Sequence, residues 1–446
     1  VITDGVPVGT ASIETRENNE SDRHTFLGRV GRRFGRSELR VTQLTSYLDR
    51  GTPGLETDLR SEAGEENLSL LTSVGLEHPL EKLPDGRLDL LLAHRFEGND
   101  FEDPEPRTSA SEPIDTETRV HNWTGRSRID TGFSALSGDH DISWVTEGRF
   151  DQRGSNEARS ESRAAVALRI ESTSSWWQKR LQISPSLRFE RIGGFDVEWI
   201  PGLFVEALPL DFVRLKSSVS RSYRAPSFQE LYLPDKGFIR GNENLDPEEA
   251  WNFEVGLVLS SPFEADWLEG EIEATWFAGE IEDSIVFKLV SNDLVAPVNT
   301  GRARSRGYEL AVRWHPHPWL RLSGARTVTE AKDDDTNRNL PGIAVSQIDG
   351  RIELGPRDRL RLVGEVHYTG RIPLDDAGIS EIRSRVSFDA SASVDLTKLP
   401  IPGARRVAKS LWLSARGRNL SNVALRDAQF FPQPGRNFSV ALEGTF

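Results

Sequence analysis

The groups in this 446-residue sequence whose types and spacing bear on chemistry are carboxylates and histidines. Glu97, Asp100, Glu102, Asp103, Glu105, Glu112, Asp115 and Glu117 crowd one stretch, and Asp333, Asp334 and Asp335 form a second run. Calcium takes roughly six to eight oxygen ligands, so such clusters are where it would be sought. Neither has EF-hand spacing, and a solvated acidic loop accounts for each more simply. His315 and His317 flank Pro316, but no third ligand accompanies them, so the segment reads as a turn rather than a metal site. Zero cysteines exclude a disulfide scaffold, a thiolate metal site and a thiol nucleophile. No GxSxG, phosphate-loop or dinucleotide fingerprint stands between a strand and a helix. Catalysis has no support, and no cofactor is expected.

The elements that carry these residues are set by periodicity. Val386, Phe388, Ala390, Ala392, Val394 and Leu396 alternate with Arg385, Ser387, Asp389, Ser391, Ser393 and Asp395, which gives a strand one apolar and one polar face. Similar runs lie at Phe253 to Leu259, Ile272 to Ala278, Tyr308 to Trp314, Leu360 to Tyr368 and Phe438 to Phe446. About 20 candidates start near residues 8, 23, 37, 66, 86, 121, 139, 161, 178, 196, 211, 248, 269, 304, 318, 343, 358, 384, 409 and 436. No stretch approaches the roughly 20 apolar residues of a membrane-crossing helix. The mean hydropathy of −0.47 is still compatible with a transmembrane barrel, in which only every second residue meets lipid.

Connections alternate in length. Residues 34–36, 135–138, 207–210, 315–317 and 355–357 read as short links, whereas 50–65, 97–120, 223–247 and 284–303 read as long ones; the link around Gly193 and Gly194 is the exception. Short periplasmic turns and long extracellular loops belong to antiparallel outer-membrane barrels. Trp176, Trp177, Trp267, Trp314, Trp319 and Trp412 fall near the periplasmic links, where an amphipathic ring suits the interface. A soluble sandwich, the competing reading, has no reason to alternate its loops in this way. The net charge of −14, with Lys and Arg dispersed, excludes a general nucleic-acid binder.

Three segments resemble TonB-dependent receptors. Ser222-Tyr223-Arg224-Ala225-Pro226-Ser227-Phe228-Gln229-Glu230-Leu231-Tyr232 is followed by Gly241-Asn242-Glu243-Asn244-Leu245-Asp246-Pro247-Glu248, then Glu254 and Gly256. Asn299-Thr300-Gly301-Arg302-Ala303 leads to Gly307-Tyr308-Glu309-Leu310. Arg418-Asn419-Leu420 and Pro432-Gln433-Pro434-Gly435-Arg436-Asn437-Phe438 are similar to the closing hairpin, and Phe446 matches the C-terminal aromatic that outer-membrane assembly recognises. Arg50-Gly51-Thr52-Pro53-Gly54 resembles an early outer loop.

The resemblance implies an all-β fold: a large antiparallel transmembrane barrel of about 20–22 strands in the bacterial outer membrane, occupying residues 1–446 as one domain. It implies uptake of a scarce, bulky solute such as an iron chelate, with TonB acting through a plug. Plug and TonB box have no counterpart in the sequence, and the strand near residue 8 matches the family's third, so the first hairpin is expected to be missing as well. With no methionine and no signal peptide, the sequence is expected to be processed or part of a longer protein. Either a smaller closed barrel or completion by a separate segment or chain follows, because an open edge in lipid leaves backbone groups unsatisfied. A plugless passive pore, or a scaffold barrel in an outer-membrane complex, is the alternative function. Tyr223, Arg224, Ala225, Pro226, Glu230, Gly241, Asn242, Pro247 and Glu248 are read as a structural loop motif, with Arg224, Glu230 and Glu248 paired at its base; they do not name a ligand.

Overall fold

The computed structural model describes every residue except 1, 4–5, 8–16, 56–57, 60–61, 105–112, 236–238, 262–268, 292–293, 335, 376–378, 401–407, 429–430 and 446. The strand expected near residue 8, Trp267, Asp335 and the terminal Phe446 therefore lie outside, or largely outside, the described residues.

Nineteen strands form the barrel among the described residues. They are β1 (Ser21–Phe34), β2 (Ser37–Gly51), β3 (Gly64–Leu80), β4 (Gly86–Asp103), β5 (Ile114–Ala135), β6 (Gly138–Ser155) and β7 (Glu161–Trp176). The series continues with β8 (Leu181–Ile192), β9 (Glu198–Leu210), β10 (Val213–Arg224), β11 (Glu248–Ser260), β12 (Glu269–Glu282) and β13 (Ala303–His317). It ends with β14 (Leu320–Asp333), β15 (Ser346–Leu354), β16 (Leu360–Thr369), β17 (Arg385–Asp395), β18 (Ser410–Arg418) and β19 (Asn437–Thr445).

Each strand pairs antiparallel with the next, and the order closes into a ring in which β19 lies beside β1. With an odd number of alternating strands, β1 and β19 run in the same sense. These two strands are also the most exposed: every residue of β19 and all of β1 except Gly28 are open.

The outer face carries the apolar half of each alternation. Val255, Trp276, Tyr308 and Val328 are register partners on four successive strands, and Trp276 is 51% exposed. In a soluble protein that exposure would be costly; in a membrane it is the surface lipid covers. The inner face is lined by charge in compensating groups. Glu190 receives Arg149 at 2.7 Å and Arg188 at 3.0 Å, and Glu353 receives Arg357 at 2.9 Å. Arg416 bridges Glu365 at 3.2 Å and Asp389 at 3.4 Å.

Several boundaries differ from the sequence expectation. Residues 207–210 and 315–317 are strand, each next to a register irregularity, and the turns fall at 211–212 and 318–319. β4 and β5 run well into the expected acidic loop, so Glu97, Asp100, Glu102, Asp103, Asp115 and Glu117 are strand residues rather than a free loop. Trp412 sits at the periplasmic end, but Arg361 lies 5.9 Å from its ring and its neighbour Leu413 takes the outer position, so this tryptophan faces inward. Most connections alternate as expected: 35–36, 136–137, 211–212 and 318–319 are two residues each, while 225–247 and 283–302 stand on the opposite, extracellular side. The exceptions are the short extracellular links 156–160 and 193–197 and the long periplasmic connection between Asp395 and Ser410.

Candidate functional site

The segment from Tyr223 to Glu248 leaves β10 at the extracellular rim and returns as β11, and its local chemistry explains its shape. Pro226 is fully buried, and its carbonyl accepts a hydrogen bond from Arg163 Nη1 at 2.7 Å. Ser227 then caps a single helical turn, α1 (Phe228–Tyr232). The Glu230 amide donates to Ser227 Oγ at 3.2 Å while the Ser227 amide donates to Glu230 Oε2 at 2.6 Å, a reciprocal capping box. Arg163 also lies 4.9 Å over the Phe228 ring.

Glu230 reaches further. Its two oxygens take the Arg224 guanidinium at 3.0 and 3.1 Å, and Arg224 Nε donates to Glu248 Oε2. The other Glu248 oxygen accepts the Ile285 amide at 2.6 Å. One arginine thus joins the end of β10, the helical turn and the start of β11, and Glu248 carries the link to the next loop. Burial opposes the charged form of Glu230, but the Arg224 and Ser227 hydrogen bonds outweigh it and hold the carboxyl below the usual glutamate range.

The second half of the motif closes on the first. The Gly241 amide donates to the Leu233 carbonyl and that of Asn242 to the Glu230 carbonyl, both at 2.8 Å. A Cβ on Gly241 would sit 2.6 Å from Leu231 O and Leu233 N, so only glycine fits this approach. Asn242 Nδ2 donates to the Pro297 carbonyl at 3.0 Å. Asn299 accepts the Asp246 amide at 2.9 Å and donates to the carbonyls of Asp246 and Asp283. Leu231, Leu245 and Ile285 form a small apolar core, with Tyr232 packed against it. Pro247 and Ala225 are half-buried spacers in this knot, and the buried Tyr223 hydroxyl has no hydrogen-bond partner among the described residues.

The motif loop, the hairpin formed by Ile285–Ser291 and Leu294–Asn299, and residues 157–159 border an open cleft of about 770 Å³. Arg159, Tyr232, Arg240, Asn242 and Asn244 are among its lining residues. Sequence reading brought Arg224, Glu230 and Glu248 together, as the structure does. It missed Arg163, Ile285 and Pro297, and it named Asn299 only within a separate segment without joining it to this loop; their contributions are backbone contacts or contacts across 16 to 63 residues of sequence.

The other candidates separate. His315 faces Glu269 at 3.4 Å and His317 packs tilted against Trp319 with ring centroids 4.6 Å apart, so the two imidazoles do different things. Asp333 Oδ1 accepts from Thr336, and Asp334 pairs with Arg304. Among the described residues, Glu365, His367 and Asp389 place ligand atoms within 4.8 Å of one another on the inner wall. Arg351 and Arg416 occupy those carboxylates, which makes the group an ion-pair network.

Residues 10–420 match the family model described as TonB dependent receptor-like, beta-barrel, and the chain belongs to that family. Membership of this family places the barrel in the bacterial outer membrane. Among solved structures it is similar to the siderophore receptor PirA from Acinetobacter baumannii, with a TM-score of 0.78 at 14% identity, covering 97% of this chain and 72% of that one. The ferric enterobactin receptor PfeA from Pseudomonas aeruginosa, as a mutant in complex with enterobactin, aligns with a TM-score of 0.77 at 17% identity, covering 96% and 73%. The vitamin B12 transporter BtuB from Photobacterium profundum is 26% identical over 151 residues, which is 33% of this chain and only 23% of that protein.

Proposed function

We propose that the barrel serves uptake of a scarce, bulky nutrient of the ferric-siderophore kind, with energy delivered by TonB through the plug segment that the family resemblance implies. The observation that carries this reading is the motif knot: Arg224, Glu230 and Glu248 fix two long extracellular loops against each other, and an open cleft of about 770 Å³ lies beside it between those loops. A cleft of that size suits a bulky small molecule. The motif residues themselves are proposed as the anchor, and the ligand contacts are assigned to the cleft lining. Capture at nanomolar affinity with an ordinary on-rate leaves a release rate of about 0.001 to 0.01 per second, which is why coupling to an energy source belongs with such a receptor.

The test is calorimetric titration of the detergent-purified protein with ferric catecholate, ferric hydroxamate, haem and cobalamin. One of the panel is expected to bind, with Tyr232→Ala and Arg240→Ala weakening it. No binding to any of them, together with large steady conductance in planar bilayers, would overturn the receptor reading in favour of a passive pore.

A further inference from the structure

On the lipid-facing surface a groove of about 550 Å³ runs across β3 to β7. Its floor follows from register. Leu92, Gly125, Gly148 and Val166 are partners on four successive strands, and one row toward the extracellular side the partners are His94, Trp123, Phe150 and Ala164. Two adjacent glycines thus form a trough between the ridges of Leu92 and Val166, which are 67% and 62% exposed. The Trp123 and Phe150 rings, 5.7 Å apart, close its outer end.

Nothing in the protein itself calls for glycine at these two places. Neither has a positive φ. A Cβ on Gly148 would meet nothing within 4 Å, and one on Gly125 would meet only Leu92 Cδ2 at 3.5 Å, an ordinary contact. Glycine inside a strand is less favourable than alanine, so the open volume is not a packing requirement of the sheet. The trough is continuous with the barrel's interface with lipid, and what fills it there is hydrocarbon.

The outer end is polar in a specific way. His94 Nε2 and His121 Nδ1 are 3.1 Å apart, and both rings stack with Trp123, at 4.9 and 5.3 Å. Outward-facing imidazoles above a band of leucines mark the depth at which acyl chains join their head groups, where an N–H can donate to an ester or amide carbonyl.

We propose that this groove is a specific seat for one acyl chain of an outer-leaflet lipid, its carbonyl linkage held at His94 and His121. The experiment incubates the detergent-purified protein with outer-membrane lipid extract and counts retained lipid by native mass spectrometry. One lipid per barrel is expected on the wild type. Retention should fall at least tenfold in Gly125→Leu/Gly148→Leu and in the milder Gly148→Val, and it should be unchanged in Ala392→Leu, which fills a separate apolar groove on the same face. His94→Ala should speed exchange of the bound lipid without abolishing it. Folding of each variant is checked by heat-modifiable electrophoretic mobility. Equal retention by the wild type and folded Gly148→Val, or a dimer mass in place of a lipid adduct, would overturn the proposal.

Discussion

Gly241 and Gly148 show two different reasons for a missing side chain. At Gly241 a Cβ would collide with backbone that cannot yield without breaking the loop closure, whereas at Gly148 it would enter open space. Gly241→Ala should therefore destabilise the extracellular loop by about 1–3 kcal/mol, seen as faster proteolytic cleavage within residues 225–247, while the barrel keeps its unheated gel mobility. Gly148→Ala should leave the same cleavage rate unchanged. Glu230 gives a signed pH dependence. Its pKa is lowered in the folded loop, so its stabilisation is present above the unfolded value, near 4.3 for a glutamate, and is lost as pH falls through the lower folded value. Amide protection around residues 227–233 should drop over that acidic window in the wild type. In Glu230→Gln it should be weaker at neutral pH and insensitive to the same acidification. The base of this loop was legible in the sequence because Arg224, Glu230 and Glu248 are charged residues at the ends of a recognisable run. The tie of Asn299 to this loop was not, because its hydrogen bonds go to backbone atoms 16 and 53 residues away, which residue type does not encode.

At the scale of elements, a period of two is enough to find a strand, since one lipid face and one aqueous face leave no ambiguity about which side chains point where. The 19 barrel strands correspond to the candidates that begin near residue 23 and continue to 436. Some turns do not use turn-forming residues, although others, such as those at Gly35 and Gly355, do. Leu136 and Ser137 both have positive φ, at 50° and 57°, and Trp177, Gln178 and Lys179 do as well, so neighbouring strands impose a conformation that the local sequence does not advertise. The acidic stretch around Glu97 to Glu117 misled for a related reason: Asp100 pairs with Arg119 across a ladder, and a charge held by its cross-strand neighbour belongs in a strand. β1 and β19, neighbours in the ring that run in the same sense, are its most exposed strands. Hydrogen exchange in detergent should be fastest there, and β5 and β6, whose register runs unbroken from Gly138 opposite Ala135 to Ser155 opposite Thr118, should be the slowest. Uniform protection around the ring would contradict this ordering.

For the whole molecule, the same arrangement that closes the sheet also fixes its direction in the membrane. Links such as 136–137 and 177–180 lie at one rim, and the loops of 225–247 and 283–302, with the knot that joins them, lie at the other. An outer-membrane receptor must present the second rim to the medium, because the ligand arrives from there and the cleft opens among those loops. The absence of cysteine makes this orientation directly measurable, since a single introduced thiol is the sole target for a membrane-impermeant maleimide. Asn244 is exposed on the loop side and Lys179 is exposed in a turn of the opposite rim. Asn244→Cys should label on intact cells, and Lys179→Cys should label only after the outer membrane is permeabilised. Labelling of Lys179→Cys alone on intact cells would place the short turns outside, and the long loops could not then be the ligand-capturing face.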